Sequence, residues 1–145
     1  MATEILIRYI HFLSIFALVA VVFGQHFWVK GQMSREQIGR LQLLDIVYAV
    51  SAVVVLATGF LQWLAVGKPA DFYGKNWIFH TKILGFLVIG LLSIYPSVFL
   101  GKQRKGEPSE VVAVPSLVIW TIRAELVLLF MLPVLATMMA RGIGL

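Results

Sequence analysis

Four stretches of nearly unbroken apolar residues, parted by three short polar intervals, make up most of this chain. Each is long enough to supply the ~20 apolar residues that one helical crossing of a bilayer needs. The pattern predicts helices over residues 5–28, 41–66, 76–100 and 115–140. The first is broken only by Arg8, His11, Ser14, Gln25 and His26; its apolar length and the lack of a small-x-small cleavage site mark it as a span rather than a signal peptide. Ser34 with Gln37 three residues on fits a capping box ahead of the second helix. Pro115 suits the first turn of the fourth, which Arg141, Gly142 and Gly144 bring to a stop. The expected fold class is all-α: an integral membrane four-helix bundle, one transmembrane domain over 1–145, with both termini on the same side.

Composition agrees with that pattern. Of 145 residues 60% are apolar and 13% charged, and the mean hydropathy is +0.92. These values leave no room for a soluble domain of useful size. Cysteine is absent, which excludes disulfides, thiolate metal sites and thiol catalysis. The net charge of +5 sits mostly in short loops beside apolar spans, so anionic lipid explains it and nucleic acid is not an expected partner. The intervals after spans one and three hold Lys30, Arg35, Arg40, Lys102, Arg104 and Lys105, against Arg8, Lys68, Lys75 and Arg141 on the other side. By the positive-inside rule the first set is cytoplasmic and the termini face outward, toward the periplasm for a bacterial inner membrane.

Function is sought among polar groups at membrane depth, where each is costly to keep. On the first helix Arg8, His11, Ser14 and Gln25 fall on one stripe, with His26 at its edge; on the second, Asp45, Tyr48, Ser51, Thr58 and Gln62 form another. His11 and His26 are roughly 22 Å apart along the axis, one near each membrane face. His80 and Lys82 on the third helix point to opposite sides, as do Arg123 and Glu125 on the fourth, because residues two apart differ by about 200°. Asp45 is a candidate counter-charge for Arg123. His80 lies at the depth of His11, so the two imidazoles are candidates to face one another and hold a b-type haem, with Arg8 receiving a propionate and His26 serving a second haem. One or two haems per chain are expected on this reading.

The sequence I-R-Y-I-H at His11, W-I-F-H-T-K over Trp77, His80 and Lys82, and the fourth-helix pair Arg123 and Glu125 resemble the small four-helix superfamily of the bacterial membrane protoporphyrinogen oxidase and the copper resistance D domain, and its uncharacterised membrane relatives most of all. The resemblance covers nearly the whole chain. It implies haem b and functional roles for a first-helix histidine and a third-helix lysine, here His11 and Lys82. His26 has no counterpart in that pattern, and the charged segment before the fourth helix departs from the oxidase.

Three functions follow. One is a haem b membrane protein carrying electrons between a quinone and another partner. A second is a haem-dependent porphyrinogen oxidase in which Lys82 or Arg123 holds substrate carboxylates. The third is a copper-handling protein, the poorest fit, since Met131, Met138 and Met139 form no ladder of soft ligands. A homo-oligomer is expected for so small a bundle.

Overall fold

The computed structural model describes residues 1–145. Helices α1 (Ala2–Trp28) and α2 (Arg35–Leu61) make one antiparallel hairpin; α4 (Trp77–Gln103) and α5 (Ser116–Ala140) make the other. Besides its hairpin partner, α1 packs on α5 and α2 on α4, so the four long helices close a ring in the order α1, α2, α4, α5. All four are long and apolar enough to cross a membrane. A 27-residue helix such as α1 is about 40 Å long, so its ends reach past the ~30 Å hydrocarbon layer into the interfaces. The outward faces carry Phe12, Phe16, Leu43, Leu91, Val127 and Phe130, the surface that lipid would cover.

The second helix starts six residues before the apolar run, at Arg35 rather than 41. Its start is fixed by the capping box: Gln37 N donates to Ser34 Oγ at 3.2 Å and Ser34 N to Gln37 Oε1 at 3.0 Å. At its far end α2 runs on as a π-helical turn, Gln62–Val66. Gly67 then passes so close to the Gln62 carbonyl that any side chain there would collide with it. A one-turn helix α3 (Ala70–Gly74) completes the crossing to α4.

The two basic loops are joined, which the hydropathy pattern does not foretell. Strand β1 (Gln32–Ser34) pairs antiparallel with β2 (Val111–Ala113), Met33 opposite Val112. Arg35 braces the ribbon, donating from Nε to Glu110 Oε2 at 3.0 Å and from Nη1 to the Gln103 carbonyl at 2.6 Å. That hydrogen bond, and then the guanidinium charge, hold the Glu110 carboxyl below the ordinary carboxylate range. Gly106, at φ 128°, lets the loop turn against Arg35, whose Nε would lie 2.8 Å from a Cβ placed there.

On the opposite face the C-terminal tail is clasped to the start of α4. Asn76 is fully buried; its Oδ1 caps the Ile78 N–H at 2.9 Å while its Nδ2 donates to the Ile143 carbonyl at 3.1 Å. Trp77 N donates to the Gly144 carbonyl at 3.2 Å. The apolar core lies mainly toward the basic-loop half, where Leu18, Val22, Leu41, Leu100, Val118 and Ile122 meet beneath Val29, Met33 and Val114 from the loops.

Candidate functional site

Polar groups gather inside the ring at two levels. Toward the terminal face, His11 of α1 turns to α2, its Nδ1 lying 2.7 Å from Thr58 Oγ1. That hydroxyl is 2.6 Å from the Val54 carbonyl, to which it donates. Its oxygen is therefore left to accept from His11 Nδ1–H, and the assigned tautomer leaves a bare lone pair on Nε2. Gly59 brings the α2 backbone against the ring edge, since a Cβ there would lie 3.5 Å from His11 Cε1. Lys82 of α4 is half-buried, within charge range of His11 from the diagonal helix, and takes part in none of the chain's four ion pairs.

The other sequence candidates at this level lie outside the ring. His80 is exposed and donates from Nε2 to the Gly74 carbonyl at 2.8 Å, beside α3 rather than opposite His11. Arg8 is paired with Glu4 at 2.7 Å and points to the surface. His11 and His80, candidates to face one another, do not do so within this chain: one ring bonds to Thr58 and the other to a loop carbonyl. The 200° offset between His80 and Lys82 is resolved with the lysine inward. The end of α3 supplies His80 with a carbonyl, which the mid-helix position of His11 does not offer.

At the second level, nearer the basic loops, every long helix contributes. Gln25 of α1, Asp45 and Tyr48 of α2, Ser93 and Ser97 of α4, and Glu125 of α5 face one another inside the bundle. Glu125 is 2% exposed and Gln25 3%. Tyr48 Oη donates to the Ile89 carbonyl at 3.5 Å, and Ser93 Oγ to the Gly90 carbonyl at 2.6 Å. Asp45, the candidate counter-charge for Arg123, does not pair with it. Arg123 is exposed, its guanidinium carbon 4.9 Å from the Trp120 ring centroid, and it is Glu125 that faces Asp45. Seven residues into α5, Arg123 is about one to two turns from the interface and can extend to it along an aromatic face, whereas a carboxylate side chain is too short to do so. Lys82 and Arg123, both candidate anchors for substrate carboxylates, thus stand near opposite membrane faces.

His26 is half-buried at the loop end of α1, edge-on to Phe27, with Nδ1 buried and unpartnered. No group of three or more histidine, aspartate or glutamate side chains converges as a metal site. Ser93 and Ser97 escaped the sequence reading; their i, i+4 spacing in line with the buried Ile89 was the signal available.

None of the curated proteins and none of the solved structures matches this chain. A family model does, over residues 3–144, nearly the full length and all four helices. The chain therefore belongs to the family described as predicted membrane protein (DUF2214).

Proposed function

We propose that this multi-pass membrane protein binds haem b through His11 and serves in redox or electron transfer. The observation that carries the reading is the state of the His11 ring. Nδ1–H is tied to Thr58 and Nε2 keeps its lone pair, the arrangement in which an outer hydrogen bond fixes the tautomer of a metal-ligating imidazole. Within one chain the residues offer His11 as a single histidine ligand. His80, exposed on the same face and bonded through Nε2 to the Gly74 carbonyl, keeps Nδ1 for a neighbouring copy, in keeping with a homo-oligomer. When bound, the haem would supply one-electron chemistry. Thr58 orients the ligand, and Lys82 gives the low-dielectric interior a cation for a propionate or another carboxylate.

The unpaired inward ammonium of Lys82, together with the resemblance to the membrane oxidase, supports a second reading as a haem-dependent protoporphyrinogen oxidase. There Lys82 alone would bind substrate carboxylates, since Arg123 lies outside the ring near the other face. The charge bias of the loops supports an orientation with the β-ribbon cytoplasmic, which in the bacterial inner membrane that the resemblance implies makes the termini periplasmic.

The test is the absorption spectrum of protein purified in mild detergent after expression with ample haem. A Soret band and a reduced α-band are expected, both lost in His11→Ala. Colourless wild-type protein, or a spectrum that His11→Ala leaves intact, overturns both readings. Porphyrinogen oxidation abolished in Lys82→Ala while haem is retained selects the second.

A further inference from the structure

Four buried side-chain atoms in the chain have no hydrogen-bond partner: Gln25 Nε2, His26 Nδ1, Gln42 Oε1 and Glu125 Oε1. They are not scattered. Gln25 and His26 lie in the last turn of α1, Gln42 is seven residues into α2, and Glu125 is nine residues into α5, all in the half of the bundle nearer the basic loops. Orphaned polar atoms in an apolar interior cost free energy each, and a shared locale for all four marks a place where water or an ion completes the bonding.

Asp45 and Glu125 sit at the centre of that locale, each within charge range of the other, roughly 15 Å from the loop-side ends of their helices. The groups turned toward them are Gln25 from α1, Tyr48 from α2 and Ser93 and Ser97 from α4. None is a cation. Arg123 is outside the ring, and none of the four ion pairs includes either carboxyl. The Gln25 amide nitrogen faces Asp45 without reaching hydrogen-bond distance. Two carboxylates so placed, with neither a basic partner nor bulk water, repel one another when both are charged; one proton between them removes the repulsion and halves the buried charge.

We propose that Asp45 and Glu125 form a proton-binding carboxyl pair inside the membrane, loaded from the basic-loop face through bound water that bridges Gln42 and Gln25. Gln42 stands one turn from Asp45 on the loop side, its amide nitrogen against Gly101 of α4 and its oxygen buried and free. It supplies an acceptor where a hydrogen-bonded chain from the loops must pass. The proton moves along that chain to the pair, which carries one negative charge when loaded and two when empty. This site is independent of His11, which lies toward the other face.

Infrared titration of the full-length protein in lipid tests the proposal. The wild type is expected to show, at neutral pH, the carbonyl stretch of a protonated carboxylic acid that shifts in heavy water, is unaffected by sodium chloride, and disappears in Asp45→Asn/Glu125→Gln. Gln42→Leu should slow the heavy-water shift at least tenfold while leaving the band itself in place. Both replacements in the double variant are isosteric and neutral; should it nevertheless not fold, the Gln42→Leu exchange rate and the response of the wild-type band to sodium still decide. Absence of the band at neutral pH, its retention in the folded double variant, or its loss on adding sodium overturns the proposal, the last by making the pair a metal-cation site. An exchange rate unchanged in Gln42→Leu overturns the loading path.

Discussion

Replacing Thr58 by valine keeps the shape of the side chain and removes one oxygen that serves two partners. The Val54 carbonyl loses little, because its bond to the backbone N–H one turn on remains. His11 loses its 2.7 Å partner, and its Nδ1–H is left unsatisfied in a half-buried site. Unsatisfied buried donors cost about 1–3 kcal/mol, and hydrogen bonds between transmembrane helices measured by double-mutant cycles average about 0.6 and reach about 1.7 kcal/mol. Thr58→Val should therefore destabilise the protein by about 1 kcal/mol, and Thr58→Ser, which keeps the hydroxyl, by much less. In a His11→Leu background the donor is gone, so the cost of Thr58→Val should fall close to zero, a coupling of about 1 kcal/mol. Reversible unfolding in mixed micelles, run on wild type, both single variants and the double, reads that difference. If Thr58→Val costs as much without His11 as with it, the hydroxyl acts within α2 alone, and the ligand-like tautomer loses its support.

Two further outcomes are expected. Because Arg35 depresses the Glu110 carboxyl, the ion pair contributes fully above the ordinary carboxylate range and is lost as pH falls through the lowered folded value; amide-exchange protection of Gln32–Ser34 should hold from neutral into mildly acidic solution and then drop, and Glu110→Gln should give the low-pH protection at every pH. Asn76→Ala should cost about 0.5–2 kcal/mol for the cap alone, and carboxypeptidase should trim its tail faster; Asn76→Asp keeps the cap oxygen but not the donor to Ile143, so it should share the faster trimming and less of the destabilisation.

The spans were legible because hydropathy reads the solvent directly, and in lipid a helix is the one way for an isolated segment to satisfy its own backbone. Their ends were less so: the apolar run begins at Leu41, but the capping box of Ser34 and Gln37 starts α2 at Arg35. The β-ribbon could not be read, since three-residue strands are too short to show alternation. Periodicity placed His11 and Thr58 on inward stripes, and Asp45 with Tyr48. It also showed that Arg123 and Glu125 cannot share a face, nor His80 and Lys82, so that only one of each pair can turn inward. It could not say which, because that choice depends on what the outward partner finds: the Trp120 ring for Arg123, the Gly74 carbonyl for His80.

The ribbon between Gln32–Ser34 and Val111–Ala113 fastens the α1–α2 hairpin to the α4–α5 hairpin at one membrane face. At the other face the two hairpins are linked covalently by the segment from Gly67 to Lys75, while the clasp of Asn76 on Ile143 acts within a single hairpin. The two halves of the bundle are thus held by hydrogen bonds at one face and by the chain itself at the other, so loss of the ribbon would free the loop-side ends of the hairpins without letting the halves separate.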